Sequence, residues 1–144
     1  MPSTVGGAVP ARQLQGWDNG DGTFTAAGAP AIAGSAVIAS QTGAAAALVT
    51  ATMPAVSGKT NYVTGVIITS TNPASTVSGA VTITGLAGGT ITLQFTESST
   101  LGGNLQVFFT VAQPAATQNL AVSINVPAIT SGGAVSATLL GFVV

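Results

Sequence analysis

Two short clusters hold nearly all the side chains that could do chemistry. Asp18-Asn19-Gly20-Asp21-Gly22 offers two carboxylates and an amide, the donor types of a calcium loop. An EF-hand needs a bidentate Glu at the twelfth loop position, and this chain has Ala29 there. Asn-Gly and Asp-Gly are also strong hairpin-turn signals, so the segment is read as a turn joining Gln15-Gly16-Trp17 to Thr23-Phe24-Thr25, with no metal assigned.

The second cluster is Glu97-Ser98-Ser99-Thr100, a carboxylate beside hydroxyls in what the pattern predicts to be an exposed loop. A hydroxyl nucleophile needs a base to take its proton. The chain has no His, which leaves Lys59 or a carboxylate for that task. Lys59 follows Ser57-Gly58 and reads most simply as a solvated turn residue. Tyr62 is compatible with a sugar-binding rim, but a single Tyr in a strand is more often core or strand edge. The chain is therefore expected to be no enzyme, with no catalytic residue, no cofactor and no metal.

The composition explains why so little chemistry is on offer. Charged residues make up 3% of the 144, and the full set is Arg12, Asp18, Asp21, Lys59 and Glu97. Nucleic-acid binding relies on clustered Lys and Arg to displace phosphate counterions, and two separated cations make no cluster. The absence of Cys removes disulfides and thiolate chemistry. Apolar runs are broken every few residues by Thr, Ser, Gly or Gln, so no membrane helix is predicted. Pro2, Gly6 and Gly7 are unlike a secretory signal.

A chain that is 47% hydrophobic and nearly uncharged has little to keep free copies apart. Permanent residence among neighbouring subunits would resolve that difficulty. Ser, Thr, Asn and Gln are left to hydrate whatever surface remains.

The elements that must carry this surface are strands. From about Lys59 onward, β-branched alternating runs are separated by turn residues, the signature of a sandwich or barrel. The runs are Tyr62 to Ser70, ending at Asn72-Pro73, then Val77 to Thr84, then Thr90 to Thr96 after a Gly88-Gly89 hairpin. Leu105 to Ala112 follows, with Leu105, Val107, Phe109 and Val111 on one face, and then Leu120 to Val126. In the last run, Ala134 to Val144, Val135, Ala137 and Leu139 are in phase before Leu140, Phe142 and Val144 take the opposite phase. That switch predicts a bulge near Leu139 or Gly141, or burial on both faces. Such an apolar strand is either central in a sheet or covered at a subunit interface. The expected fold is all-β, an antiparallel β-sandwich, jelly-roll-like, with an extended N-terminal arm.

Residues 1–47 are read as that arm, with a short hairpin near residues 15–25, and residues 48–144 as the sandwich body. Stretches such as Ala26 to Ala33 carry too few large apolar groups to offset the entropy of ordering them alone. The run Ala44 to Ala47 could open a helix, but Gly43 before it and Val49-Thr50 after it favour a strand entering at Leu48. Trp17 and Phe24 either anchor the arm in a neighbouring subunit or cap the domain's own core. The interface candidates are Trp17, Phe24, Leu140, Phe142 and Val144.

Two stretches carry a family resemblance. QGWDNGDGTFTAAGAPA resembles the openings of short virion proteins of tailed bacteriophages. The block GKTNYVTGVIITSTNPASTVSGAVTITGLAGGTITLQF, with the closing SGGAVSATLLGFVV, is similar in texture to phage sandwich proteins, most of all capsid decoration or cement proteins. The resemblance implies a structural protein on the outer surface of the capsid, with the major capsid protein and other copies of itself, as a homotrimer, for partners. It implies no nucleic acid, no membrane and no cofactor. A receptor- or glycan-binding head or tail-fibre module on the same fold is the alternative it leaves open.

Overall fold

The computed structural model describes residues 16–18, 24–26, 34–71, 73–129 and 133–144. The chain divides into two compact units, Met1–Ala33 and Gly34–Val144. In the first, β1 (Gly16–Asp18) pairs antiparallel with β2 (Phe24–Ala26), which sets Trp17 opposite Thr25 and Asp18 opposite Phe24. The intervening Asn19 to Thr23 lie outside the described residues.

The second unit holds eight strands: β3 (Ser35–Gly43), β4 (Val49–Met53), β5 (Asn61–Ser70), β6 (Val77–Thr84), β7 (Ile91–Glu97), β8 (Gly103–Pro114), β9 (Val122–Val126) and β10 (Val135–Val143). They form two four-stranded antiparallel sheets, ordered β3-β10-β5-β8 and β4-β9-β6-β7. Among the described residues no helix forms, so the molecule is all-β, and the two sheets make a β-sandwich. Among these eight strands only the β6–β7 connection stays within one sheet, where Gly89 takes a positive φ of 91° in the tight turn. Every other connection crosses from one sheet to the other.

The core follows from period-two alternation. One sheet contributes Val49, Ala51, Met53, Val81, Ile83, Phe95, Val122, Ile124 and Val126, all buried. The facing sheet contributes Val63, Val66, Ile68, Val135, Ala137 and Leu139, with Val37, Ala39, Leu105, Val107 and Phe109 packed at its margins. These are the β-branched and large apolar residues that a pleated, half-buried surface favours.

Three expectations need correction. The stretch Ser35–Gly43, assigned to the arm, is the edge strand β3, paired along its whole length with β10 from Ser35↔Val143 to Gly43↔Val135. The sandwich unit therefore begins at Gly34 rather than residue 48. Small side chains around Val37 and Ile38 hid this strand, because its order comes from backbone pairing to β10 as well as from the packing of Val37 and Ala39 on the core. Next, Val111 does not share the inward face of Leu105, Val107 and Phe109; it is exposed. The β5–β8 register passes from Gly65↔Phe108 to Val63↔Gln113, so Thr64 stands against the whole stretch Phe109–Ala112 and the alternation loses its phase there. Third, Glu97 is not in an exposed loop: it ends β7 and is fully buried.

The last strand is central, between β3 and β5. Its register with β5 shifts between Leu140 and Gly141, where Thr64 is the extra residue on the neighbouring strand. The odd-numbered residues Val135, Ala137, Leu139 and Val143 all remain buried, so Leu140 and Phe142 lie on the outer face of the sheet. The backbones approach closely at this point, and a Cβ on Gly141 would collide with the Tyr62 carbonyl oxygen.

Candidate interaction surface

The outer face of the β3-β10-β5-β8 sheet can be read row by row from the register, because residues opposite each other on antiparallel strands share a face. At one end runs the row Ala36, Phe142, Tyr62, Pro114. Next to it runs Ile38, Leu140, Gly65, Phe108. The third row is Ser40, Thr138, Ile67, Gln106, and the fourth is Thr42, Ser136, Thr69, Asn104. The face is thus apolar at one end and, apart from Ile67, hydroxyl- or amide-bearing at the other, with no charge anywhere in the four rows.

Several of the apolar groups reach solvent. Ile38 is 71% exposed and Phe108 62%. The Phe108 ring leans over Gly65, where a Cβ would lie 2.8 Å from its Cδ1. Tyr62 and Phe142 stack with centroids 5.1 Å apart and an interplanar angle of 7°. Both are half-buried, as are Leu140 and Ile67. The stack covers the bulge and keeps two aromatic edges at the surface, an arrangement that adds rigidity at small entropic cost. From strand spacing, the two apolar rows cover a sheet area of about 300 Å² across four strands, comparable with the largest apolar patch of an ordinary single chain, which is often functional. Val144, 46% exposed, continues the phase of Leu140 and Phe142, and exchanges both backbone hydrogen bonds with Thr60, at 2.8 and 3.0 Å.

In the polar rows the side chains satisfy one another. Ser40 and Thr138 hydroxyls lie 2.9 Å apart, and Thr42 Oγ1 donates to Ser136 Oγ at 3.0 Å. The outer face of the other sheet is polar throughout its paired rows apart from Ala80. Thr50, Asn125, Thr82 and Thr92 make one row, Thr52, Ser123 and Thr84 the next, and Ala80–Gln94 and Ser78–Thr96 continue it. Thr50 Oγ1 donates to Asn125 Oδ1 at 2.9 Å, and Thr52–Ser123 and Ser78–Thr96 hydroxyls each meet at 2.8 Å. The two outer faces thus differ in kind, one half apolar and the other an uncharged hydroxyl and amide ladder.

Of the expected interface residues, Leu140 and Phe142 come together on this face, with Val144 at its margin. Trp17 and Phe24 are placed by backbone only, and their side chains lie outside the described residues. Phe108 and Ile38 were not singled out from sequence. The signal for Phe108 was its adjacency to Phe109, since neighbouring aromatics in a strand point to opposite faces.

The candidate chemistry is not assembled. Glu97 Oε2 accepts a hydrogen bond from the Gly133 backbone N–H at 3.1 Å, and its carboxylate is shut away from solvent. Ser98 and Thr100 hydroxyls meet each other at 3.1 Å. Lys59 is exposed in the Val56–Lys59 turn ahead of β5, and its carbonyl accepts the Asn119 N–H at 2.9 Å. Glu97 lies near the other end of β5, where Ser70 pairs with Gly103 and Phe95 crowds Gly103. The Asp18–Gly22 segment is described only at Asp18. Among the described residues no cluster of three metal-ligating side chains forms, and no helix is long and apolar enough to cross a membrane.

Compared with protein-family models, with curated proteins and with solved structures, the chain yields no match.

Proposed function

We propose that this protein is a non-enzymatic structural subunit that works by packing against other protein surfaces, in the specific form of a capsid decoration or cement protein on the outer surface of a phage virion. One observation carries the packing role: an uncharged, half-apolar sheet face lies on a chain whose described body holds only two charged residues, Lys59 and Glu97, the second of them buried. Such a face is costly in water and favourable against a complementary surface. The virion setting rests on the resemblance of the two sequence stretches. The jelly-roll reading is supported by the order of the eight strands, first-eighth-third-sixth in one sheet and second-seventh-fourth-fifth in the other, which is that of two interlocked Greek keys.

In this role the protein stabilises by mass action. It binds the assembled lattice and not the free capsid subunits, so dissociating the shell also loses its contacts. The partners are the major capsid protein and further copies of this chain. No cofactor takes part.

Antibody-gold localisation of this chain on particles purified from its source tests the proposal. Label distributed over the shell, together with a lower disassembly temperature for particles lacking the chain, is the expected result. Label confined to fibres would support a recognition module instead, and particles free of the chain would overturn the virion setting altogether.

A further inference from the structure

We infer that two copies of this chain pair face to face through the outer surface of the β3-β10-β5-β8 sheet, about a twofold axis parallel to the strands. The inference rests on the reading of the chain as a packing subunit and names the occupant of the apolar face.

The argument starts from what the face demands of its occupant. It has no charge to pair, so a charged surface laid on it would be desolvated without compensation. An occupant must be apolar at one end and hydroxyl-bearing at the other, in rows that match. The chain itself offers that surface, and with a formal net charge of -1 its copies barely repel.

The row order then selects the axis. A twofold parallel to the strands keeps each row over the same row of the other copy: the two apolar rows meet each other, Ser136 meets Thr69, Ser40 and Thr42 meet the amides of Gln106 and Asn104, and only Thr138 falls on an apolar residue, Ile67. It reverses the strand order, so β3 lies over β8 of the second copy. Ile38 then meets Phe108, and Leu140 meets the edge of the same ring where it leans over Gly65. An axis across the strands would lay apolar rows on Ser and Thr. A surface that pairs with itself closes as a dimer, which differs from the threefold that the resemblance implies.

The area is sufficient. Four strands at their usual spacing and the length of β10 give a face of about 600 Å², hence about 1,200 Å² over two copies, the lower bound for a specific interface.

Light-scattering mass of the full chain provides the test. At about 100 µM, where a micromolar interface is saturated, the expected mass is twice the 13.8 kDa of one chain. Raising the salt concentration leaves it unchanged, because no ion pair is involved. Ile38→Lys and Phe108→Asp each weaken pairing by about 100-fold or more by burying an unpaired charge, while circular dichroism remains that of the folded chain. Gln94→Lys on the opposite face has no effect on mass. Combining Ile38→Lys with Phe108→Asp restores the dimer, because the axis brings the two positions together. A monomer or trimer for the unmodified chain, or a double variant no tighter than the singles, overturns the pairing. If the pairing fails while the shell remains labelled, the packing role stands and only its occupant changes.

Discussion

Glu97 Oε2 accepts the backbone N–H of Gly133 at 3.1 Å inside a fully closed environment. One of the chain's three acidic residues thus ties the end of β7 to the approach of β10. The neighbouring Thr71 and Ala134 add to the tie: Thr71 N donates to Ala134 O at 3.0 Å, and Ala134 N donates to Thr71 Oγ1 at 2.9 Å. Glu97→Ala is expected to cost about 2–4 kcal/mol in denaturant unfolding, from the cavity and the lost hydrogen bond together. Hydrogen exchange at the Gly133 amide should accelerate in the same variant. An unchanged Gly133 rate would show that the bond does not hold that segment.

Asn61 is a second buried tie. Its Nδ2 donates to the Pro54 and Leu120 carbonyls, each at 2.9 Å, joining the turns before β5 and β9. Asn61→Asp conserves shape but removes both donors and sets a carboxylate against two carbonyl oxygens. A loss of about 3 kcal/mol or more in equilibrium unfolding is expected. A loss under about 1 kcal/mol would deny the tie any weight.

Backbone approach at the bulge makes Gly141 irreplaceable in a way that composition alone does not show. Gly141→Ala drives a methyl into the Tyr62 carbonyl and should destabilise by about 2–3 kcal/mol. Gly88→Ala, with open space around the added carbon, should stay within about 0.5 kcal/mol. Thermal unfolding of the two variants side by side checks the contrast.

The Tyr62–Phe142 stack should show as coupling. In a cycle of Tyr62→Leu, Phe142→Leu and the double variant, an interaction energy of about 0.5–1.5 kcal/mol is expected. Additive losses would mean that the rings contribute area alone.

β8 should tolerate insertion where β5 does not. Two residues added after Thr110 fall in the stretch opposed only by Thr64 and should cost about 1 kcal/mol or less. One residue added between Val66 and Ile67 turns every following side chain of β5 to the wrong face, and should abolish cooperative unfolding.

Sequence and structure agree where large apolar residues alternate. Val77–Thr84 is recovered to the residue, and Asn61–Ser70, Ile91–Glu97 and Val135–Val143 to within a residue or so at each end. The phase switch after Leu139 was legible as a disturbance, and of its two offered causes the bulge is present, as a register shift at Leu140/Gly141 whose extra residue is Thr64 of β5, whereas β10 is fully buried on its inner face alone. What escaped was structure supplied by a partner strand. Ser35–Gly43 is held by β10, and the short Val37-Ile38 pair among Ala, Ser and Gln is too little alternation to announce that pairing. Glu97 was misplaced although it continues the inward phase of Ile91, Leu93 and Phe95. Its charge outweighed its position. Half of the candidate surface was visible as Leu140 and Phe142, whereas Ile38 and Phe108 joined it only once the register was known.

The central place of β10 also governs when the molecule can come into being. On a growing chain β3 and β5 are both made before the strand that lies between them, so one sheet stays in two unjoined halves until residues 135–143 arrive. Pairings so distant along the chain make folding slow. They also make it all-or-none with respect to the outer face, because Leu140 and Phe142 belong to the strand that closes the sheet. A sheet assembled without β10 therefore lacks Leu140 and Phe142 and leaves β3 with no strand to pair with.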